Sequence, residues 1–239
     1  MSNLQKLNNV HHADLRVITR YSADLGDSMM FSLAFPNEMR ALQSSYPLMF
    51  YKEGDSGRFL PIALFGFEEG ENLFLNDAGW DSAVIPMMAQ RGPFMLSVER
   101  SNGVEDQTVV AIDVDHPKAS TTEGQPLFLE HGGNSDYLER VVALLEGIKQ
   151  GHDQLENFVG TLLALELIAP IELKITLDNG TPHQLVGFYA IDDEKLQTLK
   201  PEDLQVLASG GWLLPAYMML ASMSQLKPMI QRKNRRVAS

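Results

Sequence analysis

Between residues 134 and 165 apolar side chains recur at helical spacing, and on either side lie segments that read as antiparallel strands. Leu138, Val141, Val142, Leu145 and Ile148 share one helical face. Asn134 and Ser135 offer capping oxygens at its start. Gly147 and Gly151 weaken the pattern, and Leu155, Phe158, Val159, Leu162, Leu163 and Leu165 resume it. The spacing predicts two helices in sequence or one bent helix. A chain with strands before and after such a stretch is restricted to a mixed architecture.

The strand signals are local and repeated. Before the helix, Leu15–Ile18 alternates, Tyr46–Tyr51 is an apolar run, and Phe59–Phe67 follows the turn cluster Glu53–Gly57. Pro47 permits a strand beginning or an edge there, not a strand middle. Pro36–Leu42 reads as a helix start. Trp80–Gln90 reads as a short helix broken at Pro86. Phe94–Val98 and Thr108–Ile112 flank Ser101-Asn102-Gly103 as a hairpin, and residues 113–126 read as a loop. After the helix, Ile171–Leu177 and Gln184–Ala190 flank Asp178-Asn179-Gly180 as a second hairpin. Asp192 and Pro201 open short helices, Gly210-Gly211 ends the second, and Trp212–Gln225 is an apolar helix. Beyond Pro228 the chain is expected to fray.

This order predicts an α+β fold, with antiparallel hairpins and helices packed on one side. Residues 1–230 form one domain on this reading. It has two closely packed lobes, a strand-rich 11–130 and a helix–hairpin–helix 131–230, followed by a basic tail at 231–239.

Charge limits the partners. The 239 residues carry 19 cations and 31 acids, a formal net charge of −12. Lys227, Arg232, Lys233, Arg235 and Arg236 all fall after residue 226, where there is no acid. An acidic body argues against an extended nucleic-acid surface, which needs clustered cations. The basic end can contact an acidic partner, or simply close a helix favourably. The N-terminus lacks a signal-peptide core, and no run of about 18 apolar residues occurs. A cytoplasmic protein without a membrane span is expected.

Chemistry-bearing motifs are sparse. The chain has no cysteine, which removes disulfides, thiol catalysis and cysteine-ligated metal. His12-Ala13-Asp14 has a metal-ligand spacing that a distant His116, His131, His152 or His183 can complete; a polar entry into the first strand is the plainer reading. Asp113-Val114-Asp115-His116 lacks the glycine and distal glutamate of a calcium loop. Glu68, Glu69, Glu71 and Asp77 crowd one turn, where a cation or a cationic peptide can be held, or where the acids are simply solvated. Gly132-Gly133-Asn134-Ser135 can hold an anion at a helix start, but Asp136 and Glu139 follow, so an ordinary cap is the plainer reading. No nucleotide-binding, Walker or lipase-type motif is present, and no cofactor is expected. The strongest candidate is Trp80, Pro86, Arg91 and Phe94, with Tyr46 upstream. Aromatics, a rigid turn and an arginine can line a groove, with Arg91 clamping a carboxylate; core packing is the competing explanation. The run Trp212, Pro215, Tyr217, Met218, Met219 and Met223 reads as a core helix or a partner-facing one.

Several short motifs in a fixed order carry a family resemblance. Tyr46-Pro47-Leu48-x-Phe50, Leu60-Pro61-x-Ala63-x-x-Gly66, Glu71-Asn72-Leu73-Phe74, Gly79-Trp80 with Pro86, and Arg91-Gly92-Pro93-Phe94 come first. Gly124-x-x-Leu127-Phe128, Asp178-x-Gly180, Leu185-x-Gly187-x-Tyr189-x-Ile191-Asp192 and Gly210-x-x-Leu213 follow. Together they resemble the SapC-like family, named for a bacterial surface-array (S-layer) locus, over about residues 11–230. The resemblance implies no established activity and no catalytic residues. It implies genomic neighbours that are halogenase-like or cupin-like enzymes, or outer-membrane receptors. The expectation is therefore a non-catalytic protein- or peptide-binding or accessory protein, a partner of such enzymes. The alternatives are a metal-dependent or peptide-modifying enzyme using His12/Asp14 or Arg91, and a structural component of the surface layer.

Overall fold

A computed structural model describes residues 3–99 and 107–238. The chain divides into two compact units, each built from two separated segments: residues 1–27 with 87–149, and residues 28–86 with 150–239. It therefore passes between units three times, and no single cut near residue 130 separates strand-rich from helical parts. Every strand pairing is antiparallel, and helices complete both units, so the fold is α+β.

The first unit holds two small sheets. Phe94–Glu99 and Gln107–Asp113 form the expected hairpin; its turn, Ser101-Asn102-Gly103, lies outside the described residues. Leu4–Lys6 adds a third strand against Gln107–Asp113, an element too short and too polar to be read from the sequence. Arg16–Val17 lies between Ala119–Ser120 and Gln125–Pro126. The segment 113–126 is thus not wholly loop, because its two-residue strands are supported by the partner strand and not by a local pattern. Val17, Phe94, Ile112 and Leu127 pack with Leu138, Val141 and Leu145 as this unit's core.

Asp136–Ala164 is one continuous helix of 29 residues. Ser135 caps it, its Oγ accepting from the Leu138 N–H at 3.2 Å and donating to the Pro126 carbonyl at 2.7 Å. The helix start is thereby closed by its own side chain. The far end closes in a Schellman arrangement. The Leu167 N–H reaches the Leu162 carbonyl at 2.8 Å and the Glu166 N–H reaches Leu163 at 2.9 Å, with Glu166 left-handed at φ 52°. The glycines that suggested a break serve a different purpose. A Cβ on Gly151 would stand 2.5 Å from the Phe35 Cβ, so this position is kept bare by close packing and the helix runs through it.

The second unit is built on a five-stranded sheet. Its strands, in order, are Ile168–Pro170, Phe188–Ile191, Leu48–Lys52, Phe59–Leu64 and Phe31–Leu33. Leu48, Met49 and Phe50 are consecutive and all buried, which requires cover on both faces of this central strand. Pro47 stands just before it, at a strand beginning as its chemistry demands. Pro61 sits inside the next strand. Its carbonyl accepts from Ala34 at 3.0 Å, so its missing N–H also faces the Phe31 strand, beyond that strand's short ladder.

The second hairpin is divided. Leu173–Thr176 and Pro182–Leu185 pair as a two-stranded sheet, whereas Phe188–Ile191 leaves it to join the five-stranded sheet. Gly187, at φ 85°, makes the bend between them. Trp80 also departs from expectation. It lies in the strand pair Leu75–Asn76 with Gly79–Trp80, and the helix there is only Met87–Gln90.

Asp192 caps Asp193–Gln197, accepting from Lys195 N–H at 2.9 Å, and Pro201–Gly210 and Leu213–Ser222 follow as helices. The tail does not fray. Leu226–Ala238 is helical, with Pro228 in the first turn where no intrahelical bond is lost. Among the described residues no single helix is long and apolar enough to cross a membrane.

Candidate functional site

The second unit contains a cleft of about 460 Å³ beside Trp80. Its aromatic wall is fixed from behind. The Trp80 indole N–H donates to the Tyr46 hydroxyl at 2.8 Å, and that hydroxyl donates to the Val84 carbonyl. Tyr46 is fully buried, in ring contact with Phe65 and Phe74, while Trp80 meets Phe65 edge-on at 5.1 Å. Burial pushes the Tyr46 hydroxyl above the usual phenol range, opposed by hydrogen bonds to Ser82 and Trp80. Tyr46 thus orients the wall, and Trp80 presents it.

The opposite side comes from the C-terminal helix. Arg232 lies over the Phe74 ring at 4.7 Å. Its Nη1 donates to Asp81 Oδ2 at 2.6 Å and its Nη2 to the Asp81 carbonyl at 3.2 Å. Asp81 and Arg232 are the two charged lining residues, and they neutralise each other. Ser44, Ser45, Ser82 and Gln225 supply the remaining polar groups, with Met229 and Pro228 between them. The cleft is therefore neutral, rich in hydrogen-bonding groups and walled by an indole.

The acidic turn explains why the basic helix docks beside it. Lys233 is buried, with its Nζ 2.6 Å from Glu71 Oε1 and 3.5 Å from Glu68 Oε2. Arg236 donates to the Asn72 and Leu75 carbonyls at 3.0 and 2.7 Å. Glu71 also accepts from the Phe67 N–H at 2.9 Å, and His183 Nδ1 lies 3.2 Å from Glu68. Lys233 and Arg236 of the basic end therefore contact the turn around Glu68–Leu75 of the same chain. Lys227 and Arg235 stay exposed.

The sequence-derived candidates are divided between the two units. Tyr46, Trp80 and Pro86 belong to the second unit, and Arg91 and Phe94 to the first. Tyr46 and Trp80 meet directly. Pro86 is buried and is not among the cleft-lining residues. Phe94 is wholly buried in the first core. Arg91 Nη1 donates to the Phe94 carbonyl at 2.9 Å, a local tie three residues long, and burial lowers its pKa from the ordinary value.

The metal candidates are likewise engaged or dispersed. His12 is buried, its Nδ1 accepting from the Asn8 N–H at 3.2 Å and its Nε2 facing Gln5 Oε1 at 3.1 Å, while Asp14 is exposed. Asp113 Oδ1 accepts from the N–H groups of Asn3 and Asp115 at 2.8 and 3.2 Å. No group of three His, Asp or Glu residues suited to a metal occurs among the described residues.

Sequence reasoning missed Ser44, Ser45, Gln225 and Arg232. Their sequence separation from Trp80 hides them. The one available signal was charge: a cationic C-terminus and an acidic turn in the same small chain.

A family model described as SapC matches residues 7–229. No curated protein and no solved structure matches the chain.

Proposed function

The chain belongs to the SapC family, and from that premise we propose that it is a non-catalytic peptide-binding or accessory protein of the cytoplasm, with the Trp80 cleft as its peptide site. The observation that carries this reading is the neutrality of a polar cleft. With Asp81 held by Arg232 at 2.6 Å, the lining favours an occupant that hydrogen-bonds without net charge. A peptide main chain has that chemistry, and Ser44, Ser45, Ser82 and Gln225 offer donors and acceptors to it. The indole supplies a flat apolar face for one side chain. A volume of about 460 Å³ lies in the range of ligand pockets. Modification enzymes of the halogenase-like or cupin-like kind are the partners whose exposed segments fit this role.

Selection from a random linear peptide library tests the reading. The full chain enriches a sequence class, and Ala83→Trp, which fills the cleft from its exposed rim, does not. Equal enrichment on both proteins contradicts it.

A further inference from the structure

The first unit contains its own cleft of about 200 Å³, which shares no lining residue with the Trp80 cleft. Its apolar lining includes Val17, Val141 and Leu144, and its polar lining includes Tyr21, Lys118, Tyr137 and Arg140. Tyr137 and Arg140 lie three residues apart on the long helix, a spacing that puts both on one face.

The charges here do not cancel as they do beside Trp80. Lys118 is buried, with its Nζ 2.6 Å from Asp27 Oδ1 and 4.2 Å from the Tyr21 ring centre. Asp27 is buried too, and its other oxygen accepts from the Ser22 N–H at 2.9 Å. That pair is balanced. Arg140 is exposed and makes no ion pair among the described residues. It leaves the cleft with one uncompensated cation in a chain of net charge −12. A guanidinium at the rim of an apolar, aromatic-walled cleft suits a carboxylate, which it can hold through two parallel N–H donors. The Tyr137 hydroxyl lies on the same helical face. Burial pushes its pKa up to about 12, so it remains a neutral donor at ordinary pH.

We propose that this cleft binds a small monocarboxylate with an apolar body, the carboxylate on Arg140 and Tyr137 and the body against Val17, Val141 and Leu144. Lys118 is already paired with the buried Asp27 and takes no net charge from the ligand. The cleft is too small for a peptide segment of several residues, and its apolar lining offers nothing to a bare inorganic anion.

The test uses the full-length chain and defined probes: benzoate, hexanoate, benzamide and inorganic phosphate, followed by saturation-transfer NMR and calorimetry. Benzoate or hexanoate binds saturably, benzamide binds at least tenfold more weakly, and phosphate does not compete. Arg140→Gln keeps an exposed helix-forming side chain and weakens carboxylate binding by about tenfold or more, while Tyr137→Phe weakens it by about threefold, as loss of a charged and a neutral hydrogen bond requires. Circular dichroism and unfolding midpoints of both variants stay near those of the parent. Absence of saturable carboxylate binding overturns the proposal. So does equal affinity in Arg140→Gln, equal binding of benzamide, or competition by phosphate, which would mark a simple anion site.

Discussion

The Trp80 indole N–H donates to the hydroxyl of Tyr46 at 2.8 Å, across 34 residues of sequence. The bond ties the half-buried indole of the cleft wall to a side chain with no exposure at all. Tyr46→Phe removes the acceptor for Trp80 and the donor to the Val84 carbonyl while keeping the ring. Two half-buried polar groups then each lose a hydrogen bond, which costs about 1–3 kcal/mol together. Urea unfolding reads the loss, and Trp80 emission shifts to the red as its N–H turns to water.

Two glycines of one helix give opposite results for the same substitution. Gly151→Ala drives a methyl to 2.5 Å from the Phe35 Cβ, and overpacking of this kind costs about 1–3 kcal/mol. Gly160→Ala meets nothing within 4 Å and gains helix propensity of up to ~1 kcal/mol. Denaturant midpoints of the two variants should move apart in sign. Movement in the same direction would show that Phe35 does not press on the helix.

Those glycines also show what a sequence can and cannot announce. Periodicity located the long helix and both of its cores: Leu138, Val141 and Leu145 in one, Phe158, Val159 and Leu162 in the other. It could not tell a glycine that breaks a helix from one kept small by a neighbour 116 positions away in the chain. Turn chemistry located both hairpins, but not the departure of Phe188–Ile191 to another sheet, because sheet membership depends on distant partners. Trp80 of the cleft and Tyr46 behind it were visible as aromatics beside turn and proline signals. Ser44, Ser45 and Gln225 were not, since isolated polar residues carry no periodic or motif signal.

Lys233 anchors the last helix by its buried pairing with Glu71 and Glu68. Lys233→Ala leaves Glu71 part-buried without its cation, and removal of one member of such a pair destabilises by about 1–3 kcal/mol. The effect is local. Amides of residues 226–238 exchange faster and trypsin cleaves there first, while the long helix keeps its protection. Moderate salt does not reproduce the change, because a pair this shielded is weakly screened.

Tyr137 sets an alkaline limit on stability. Its phenol ionises at about 12 in the folded chain because burial disfavours the charged form, against about 10 when exposed. The stabilisation is therefore complete below pH ~10 and is lost as the pH rises through ~12, since the unfolded chain releases its proton first. Urea unfolding at pH 8 and pH 11 shows a smaller alkaline loss in Tyr137→Phe than in the parent. The phenolate titration at 295 nm shows one fewer late-ionising group. Tyr46, also raised by burial, accounts for a remaining part.

A peptide in the proposed site would lie against the Trp80 indole. Trp80 and Trp212 are the two tryptophans, so Trp212→Phe leaves a single reporter on the cleft wall. Titration of this variant with a peptide enriched from the random library should change Trp80 emission saturably, and the change should vanish when Ala83→Trp is replaced by the non-fluorescent filler Ala83→Phe in the same background. An enriched peptide that binds by calorimetry yet leaves Trp80 emission untouched, or that binds the filled variant equally well, would contradict the account.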